Sequence, residues 1–224
     1  MLYSLLFEMN SLPFSVKLIQ FFTFTLAVVI ALTIHEYAHA FTACKLGDKT
    51  AKLYGRLSLN PMVHFDTFGL LCFLFLGFGW AKPVPINSFN FKNIKRDTFL
   101  VSISGVVINL ILAFISFPCA LLLLSIVEKS IIFNILYYIF LYMFQANLVF
   151  AVFNLLPIYP LDGFNALSSQ LKYSNPYVTF MQKYGAIVLL IAIIVLNRTG
   201  LFSRLVYYVG YPITKLWSII FFGV

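Results

Sequence analysis

Charged residues are scarce in this chain of 224 residues. Only 10% of the residues are charged, 62% are hydrophobic, and the mean hydropathy is +0.96. A soluble domain typically needs about a quarter of its residues charged to cover its surface. The shortage of charge therefore excludes a soluble domain and predicts a multi-span membrane protein, with the lipid bilayer as its main solvent.

Cysteine and histidine are also rare, with three residues of each. Cys44, Cys72 and Cys119 lie in or beside apolar segments and form no CxxC or CxxH pair. Neither disulfides nor a cysteine metal site are therefore expected. The net charge of +8 would suggest nucleic acid in a soluble protein. In a membrane protein it indicates basic cytoplasmic loops instead, so no nucleic-acid partner is predicted.

Long apolar segments predict an all-α polytopic protein with about five transmembrane helices. The expected spans are 16–44, 99–127, 131–153, 177–196 and 201–222, and a short helix is expected over 165–173. The stretch 65–80 is apolar too, but it is short and interrupted by Gly69, Gly77 and Gly79. We therefore expect it to dip into the membrane and return, as a re-entrant segment or a short β-hairpin.

Acidic residues number only seven. Five of them are explained by termini, polar loops or segment ends, namely Glu8, Asp48, Asp66, Asp97 and Glu128. Glu36 and Asp162 are not, because each lies at or within a segment at membrane depth. An ionisable group there costs several kcal/mol unless it is paired, metal-bound or facing water, so both are candidate functional residues.

Glu36 lies inside the pattern His35-Glu36-x-x-His39. Histidines four residues apart share one helix face, so both can bind one tetrahedral Zn²⁺ while the intervening glutamate reaches a water molecule. The alternative is a pair of buried histidines that hydrogen-bond to neighbouring helices. A catalytic site also needs a third ligand.

Asp162 is the best candidate for that ligand, although it could instead cap a helix that begins near Asn165. His64 is the competitor, but a local hydrogen-bonding role in its loop is favoured.

Both ligand segments must lie on one side of the membrane. If 65–80 crossed fully, Asp162 would lie roughly 30 Å from the histidines, whereas a dip returns it to their side. With the dip, that side carries ten basic residues and the opposite loops carry three. The ten are Lys45, Lys49, Lys52, Arg56, Lys82, Lys92, Lys95, Arg96, Lys172 and Lys183. The charge bias indicates that this side is cytoplasmic.

These motifs resemble the site-2 protease family of intramembrane zinc proteases. The similar stretches are 35–39, the run Asn154–Gly163 with its prolines, the small-residue and asparagine motif 104–109, and the loop 79–85. The resemblance covers roughly residues 16–172 and lacks the PDZ insert of many bacterial members. It implies one Zn²⁺ per chain held by His35, His39 and Asp162, with Glu36 as the catalytic base.

The resemblance also implies substrate or transition-state contacts. Asn154 is the main candidate, with a helix C-cap as its alternative role. Asn109 is a weaker candidate that could instead pack or hydrogen-bond between helices. Apart from the resemblance, His64 is a weak candidate for a substrate contact, with the local role in its loop favoured.

The expected protein is a single membrane protease domain over 1–224, with a catalytic core at about 16–172 and C-terminal helices at about 177–222. Its expected activity is zinc metalloendopeptidase cleavage of transmembrane proteins or peptides, in a bacterial cytoplasmic membrane with the site facing the cytoplasm. The alternatives are an inactive zinc-binding scaffold and a metal-ion transporter. A transporter is disfavoured because no internal repeat is visible. The sequence does not specify an oligomeric state.

Overall fold

A computed structural model of the protein describes residues 13–66, 68–69, 72, 79 and 81–223. The helices are α1 Phe14–Lys45, α2 Thr50–Leu53, α3 Ile94–Leu124, α4 Ile131–Asn154, α5 Asp162–Gln170, α6 Pro176–Arg198 and α7 Leu201–Phe222. Single 3₁₀ turns cover Pro61–Val63, Ser88–Asn90 and Val127–Lys129. Within the described residues, five helices, α1, α3, α4, α6 and α7, are long and apolar enough to cross a membrane. The predicted all-α architecture with about five spans is confirmed.

Local signals set most helix ends. The helix α1 ends at Lys45, just before Gly47, because the chain turns at this glycine with φ of 114°, which favours glycine. The Ser130 hydroxyl accepts the backbone N–H of Ile132 and caps the start of α4 after the polar turn.

Two predicted helix starts were wrong. The helix α3 begins at Ile94 rather than near residue 99, because the Asn93 side chain caps it and its basic first turn extends the apolar span. The helix α5 covers 162–170 rather than 165–173. It begins two residues after Pro160, with Leu161 at the N-cap position and Asp162 as its first residue.

The helices α1, α3 and α4 pack together through small side chains. Ala27 and Ala31 of α1 are fully buried against α4, where they meet Tyr142 and Ala146. Small residues let helix backbones approach closely, which is how helices associate in lipid. This three-helix core holds the polar side chains described below.

The two ends of the stretch 65–80 lie next to each other. Phe65 and Ala81 form an antiparallel bridge, and the Lys82 N–H donates to the His64 carbonyl over 2.8 Å. The two ends are therefore adjacent, as the dip requires. Most of the interior of the stretch lies outside the described residues, and so does the predicted hairpin.

Asp48 ties the loop after α1 to the segment before α3. It is fully buried and accepts hydrogen bonds from the Thr50 backbone and hydroxyl, the Asn87 N–H and the Asn90 amide. Burial alone would raise the pKa of Asp48, but these donors bring the pKa below its ordinary value. The carboxylate thus fixes where the chain enters α3.

The C-terminal helices attach more sparsely. Val206, Val209 and Ile213 of α7 pack on α3 and α4, and the Trp217 indole N–H donates to the Phe114 carbonyl over 3.0 Å. The helix α6 meets the proline-rich segment before α5, where Gly185 lies against Tyr159.

Candidate metal centre

Three side chains from two distant parts of the chain converge at one point. His35 and His39 lie one turn apart on α1, with 5% and 6% of their surface exposed. Their Nε2 atoms are 3.1 Å apart, and each is 3.2 Å from Asp162 Oδ2. In the described part of the chain, these residues form the one cluster of three ligands that could hold a metal ion.

The proton positions on the two imidazoles follow from their other partners. His39 Nδ1 lies 2.7 Å from the Val101 carbonyl oxygen, which can only accept, so this nitrogen carries the proton. His35 Nδ1 lies 2.5 Å from Asn109 Oδ1, another acceptor. In the neutral rings both Nε2 atoms are therefore unprotonated, and their lone pairs face the Asp162 carboxylate.

This arrangement fits a metal ion. Asp162 Oδ2 is buried and receives no hydrogen bond. Three lone pairs that face each other at 3.1–3.2 Å need a cation between them. Bond lengths of 2.0–2.2 Å around a tetrahedral Zn²⁺ separate its ligands by roughly 3.3 Å, close to the observed spacing.

The start of α5 determines how Asp162 is presented. Leu161 occupies the N-cap position, and Asp162 is the first helical residue without a side-chain capping bond. The alternative capping role is therefore not observed. Gly163 lies where a Cβ would collide with the Leu155 and Leu156 carbonyl oxygens, so the tight turn behind the carboxylate requires glycine.

Gly105 of α3 lies directly against the imidazoles. A Cβ on this residue would be 2.5 Å from His35 Cε1 and 2.6 Å from His39 Nε2. The small-residue motif at 104–109 thus provides the space in which both rings stand. Ser104 adds a hydroxyl that donates to the Val101 carbonyl over 2.7 Å.

The predicted catalytic base and the predicted substrate-contact residues lie in different surroundings. Glu36 is half-buried and makes no hydrogen bond or ion pair with any described residue. Asn154 is the last residue of α4, and its amide donates to the Phe150 carbonyl over 3.1 Å.

Asn109 is fully buried behind His35 and binds that ring. A substrate contact does not fit this position, whereas the alternative of a hydrogen bond between helices does.

His64 stands apart from the ligand cluster. It is fully buried, and its Nε2 lies 2.7 Å from the Ser58 carbonyl oxygen in the same loop. The favoured local role is what the structure shows. The Asp162 carboxylate, and not His64, is the third group beside the two histidines.

Sequence reasoning missed Asn147. This residue of α4 is fully buried, and its Oδ1 accepts from Asn109 Nδ2 over 2.6 Å. An available signal was its amide in the middle of an apolar span, since polar groups there commonly bond between helices. In the sequence, only ionisable residues at membrane depth were taken as candidate functional residues on the ground of their polarity.

Comparison of the chain with known proteins gives two kinds of result. No protein-family model matches the chain, and no solved structure matches it significantly. The chain is 43% identical over 169 residues to a Bacillus subtilis (strain 168) protein named "Putative zinc metalloprotease YwhC", covering 74% of this chain and 77% of the relative. It is 29% identical over 214 residues to "Putative zinc metalloprotease Rip2" of Mycobacterium tuberculosis (strain H37Rv), covering 86% and 80%.

The geometry of the site and the similarity to named zinc metalloproteases point to the same kind of protein. The HExxH helix and the Asp162 segment, from which the resemblance was drawn, meet at one point. The relatives' names support a metalloprotease that contains zinc, and the five apolar helices support a membrane protein. The chain belongs to the site-2 protease family.

Proposed function

We propose that the protein is an intramembrane zinc metalloendopeptidase that hydrolyses peptide bonds in or near the transmembrane segments of other membrane proteins, as in regulated intramembrane proteolysis. One observation carries this proposal. The ligand cluster of His35, His39 and Asp162 lies on and beside a helix that is long and apolar enough to span a bilayer. A hydrolytic site so placed meets substrates from within the membrane.

One Zn²⁺ per chain would be held by the two Nε2 atoms and the Asp162 carboxylate. The Nδ1 bonds to Asn109 and Val101 keep both rings in the metal-binding tautomer. Three protein ligands leave a fourth tetrahedral position open, which is typical of catalytic rather than structural zinc. When bound, the ion supplies Lewis acidity that lowers the pKa of water and polarises a carbonyl.

Glu36 is the proposed base. It follows His35 on α1 and has no described partner, so its carboxylate is available. Glu36 accepts a proton from the attacking water and then passes it to the nitrogen of the departing amine. Asn154 is proposed to donate a hydrogen bond to the substrate carbonyl, after releasing its bond to Phe150.

The surroundings of Asp162 suit an apolar substrate. A cavity of about 280 Å³ adjoins this carboxylate, with Phe99, Ile103, Val106 and Leu167 among its walls. A transmembrane substrate must unwind locally before it can be cut, because helical hydrogen bonds shield its carbonyls. We propose that one side chain of the unwound segment enters this cavity and that the strand runs along 81–86.

The bias of ten basic residues against three supports a cytoplasmic orientation of the site in a bacterial cytoplasmic membrane. The adjacency of Phe65 and Ala81 supports the topology behind that count, since the stretch between them begins and ends on one side.

Glu36→Gln tests the function. In the full chain reconstituted with zinc and a membrane-spanning reporter peptide, cleavage should fall by about 10²–10⁴-fold while zinc stoichiometry stays unchanged. The matched control is Glu128→Gln in the turn between α3 and α4, which should cleave normally. Cleavage retained in Glu36→Gln would reject Glu36 as the base.

The same assay separates the rival functions. An inactive scaffold would be favoured if the wild-type chain binds zinc but cuts no reporter. Cells with the wild-type chain would then also contain no membrane-protein fragment that is missing from cells with Glu36→Gln. The test for Asp162 is Asp162→Ala, which should reduce bound zinc. Unchanged stoichiometry would remove Asp162 from the ligand set.

A further inference from the structure

A chain of hydrogen bonds runs from the candidate metal centre across three helices. His35 Nδ1 of α1 contacts Asn109 Oδ1 of α3 over 2.5 Å. Asn109 Nδ2 donates to Asn147 Oδ1 of α4 over 2.6 Å, and Asn147 Nδ2 donates to the Met143 carbonyl over 2.7 Å. Both asparagines are fully buried, so water does not compete for these bonds.

The chain of hydrogen bonds has only one consistent direction from donor to acceptor. The Met143 carbonyl can only accept, so the NH₂ group of Asn147 must face it. The Asn147 oxygen then faces Asn109 and accepts from its NH₂ group, which turns the Asn109 oxygen toward His35. That oxygen can only accept, so the proton of the His35 ring lies on Nδ1 and the lone pair of Nε2 points into the centre.

The two histidines reach the same tautomer by different means. His39 relies on a backbone carbonyl, that of Val101, whose direction the helix fixes, and the Ser104 hydroxyl oxygen lies 3.4 Å from the same ring nitrogen. His35 relies on a side-chain amide that could rotate by half a turn and present its NH₂ group instead. A rotated Asn109 would donate to Nδ1 and favour the Nε2–H tautomer, which leaves no lone pair on Nε2 for a metal.

We propose that Asn147 is a positioning residue for the metal centre, which acts through Asn109 to hold His35 in its metal-binding tautomer. Its hydrogen bonds go to Asn109 and the Met143 carbonyl, and none goes to a metal ligand. The inference rests on the proposed metal site, but its readout is metal affinity rather than proteolysis.

A single and a double variant at positions 109 and 147 test this relay, the action of Asn147 on His35 through Asn109. The full chain is used, with zinc as the ligand. Asn147→Leu has a similar shape and no polar atoms, so the Asn109 amide loses its fixed direction. The zinc dissociation constant should rise by about 10–100-fold, the usual cost of losing an outer partner of a metal-bound histidine.

Adding Asn109→Asp to Asn147→Leu should restore zinc affinity. A carboxylate can only accept, so it holds the proton on His35 Nδ1 whatever residue stands at 147. A residue that merely joins α3 to α4 would not be rescued in this way, because the double variant lacks the bond between these helices.

Each result has one meaning. Wild-type zinc affinity in Asn147→Leu, or failure of the double variant to recover affinity, would overturn the relay. If Asn147→Leu does not fold, Asn147→Thr takes its place, since a hydroxyl that donates to the Met143 carbonyl, as Thr33 donates to Val29 over 2.7 Å, can only accept from Asn109. Zinc affinity should then match the wild type, and a loss would contradict the relay. A wild-type chain that binds no zinc would instead sink the proposed function.

Discussion

The membrane helices fall into two groups that differ in how much surface they bury. In the most apolar stretches of α1, α3 and α4, 44%, 28% and 44% of residues are buried, against 11% and 6% in α6 and α7. The polar groups of the metal centre come from the first group and from α5, which packs beside α3. Apolar side chains are as stable in contact with lipid as in a protein interior. Burial of apolar residues alone therefore does not hold such helices together.

The comparison teaches where this chain depends on close fit. In the first group, alanine, glycine and asparagine residues let backbones and polar side chains meet at fixed distances. In the second group, large apolar side chains face outward, and a cavity of about 840 Å³ separates parts of α4, α6 and α7. One substitution, glycine to alanine, can therefore measure the difference at three positions.

Gly105→Ala should have the largest effect. The added methyl group would overlap two rings that bonds to Val101 and Asn109 hold in place, so the rings must leave their positions. The zinc dissociation constant should rise by at least about tenfold, with cleavage lost in parallel. Equilibrium zinc titration of the purified chain measures this. Normal zinc binding in Gly105→Ala would mean that the imidazoles are free to move.

Gly185→Ala should have an intermediate effect. The new methyl group would lie 2.6 Å from Tyr159 Cβ and 2.9 Å from the Tyr159 carbonyl oxygen, so α6 must separate from the segment before Asp162. Overpacking of this kind costs about 1–3 kcal/mol, which thermal unfolding in detergent would detect as a lower midpoint. Zinc stoichiometry should remain that of the wild type. Loss of zinc here would show that α6 positions the centre and would break the division into two groups.

Gly210→Ala should have the smallest effect. The nearest atom to the new methyl group is Leu148 Cδ1 at 2.7 Å, the tip of a flexible side chain that lines the large cavity. Leu148 can turn into that space, and alanine favours the helix over glycine by roughly 1 kcal/mol in water. Thermal stability should be unchanged or slightly higher, with normal zinc binding and cleavage. A marked loss of stability would indicate that α7 fits α4 more tightly than its exposure suggests.

Much of this architecture could be predicted because its signals are local. Apolar length set the five spans, and the 3.6-residue helical period placed His35 and His39 on one face before any fold was known. The boundaries of α3 and α5 were missed by a few residues, because the Asn93 cap and the helix start two residues after Pro160 outweighed the change in hydropathy. The return of the stretch 65–80 was predicted from charge and length, and the pairing of its ends agrees.

The outer partners of the metal centre could not be predicted in the same way. Asn109 was assigned chiefly by resemblance, and Asn147 was overlooked, since a buried amide has no sequence spacing that names its partner. Their bonds join residues of different helices that are 74 and 38 positions apart in sequence. Only the mutual rotation of α1, α3 and α4 decides which side chains meet.

The sequence by itself determined that the protein resides in lipid, that two histidines share one helix face, and that Glu36 stands between them. The tertiary structure alone decided that Asp162, rather than His64, completes the cluster, and that both imidazole protons point away from it. The physical reason is that helix periodicity acts over a few residues. The proton on a ring nitrogen, by contrast, is set by whichever acceptor the packing of distant segments brings within hydrogen-bonding distance.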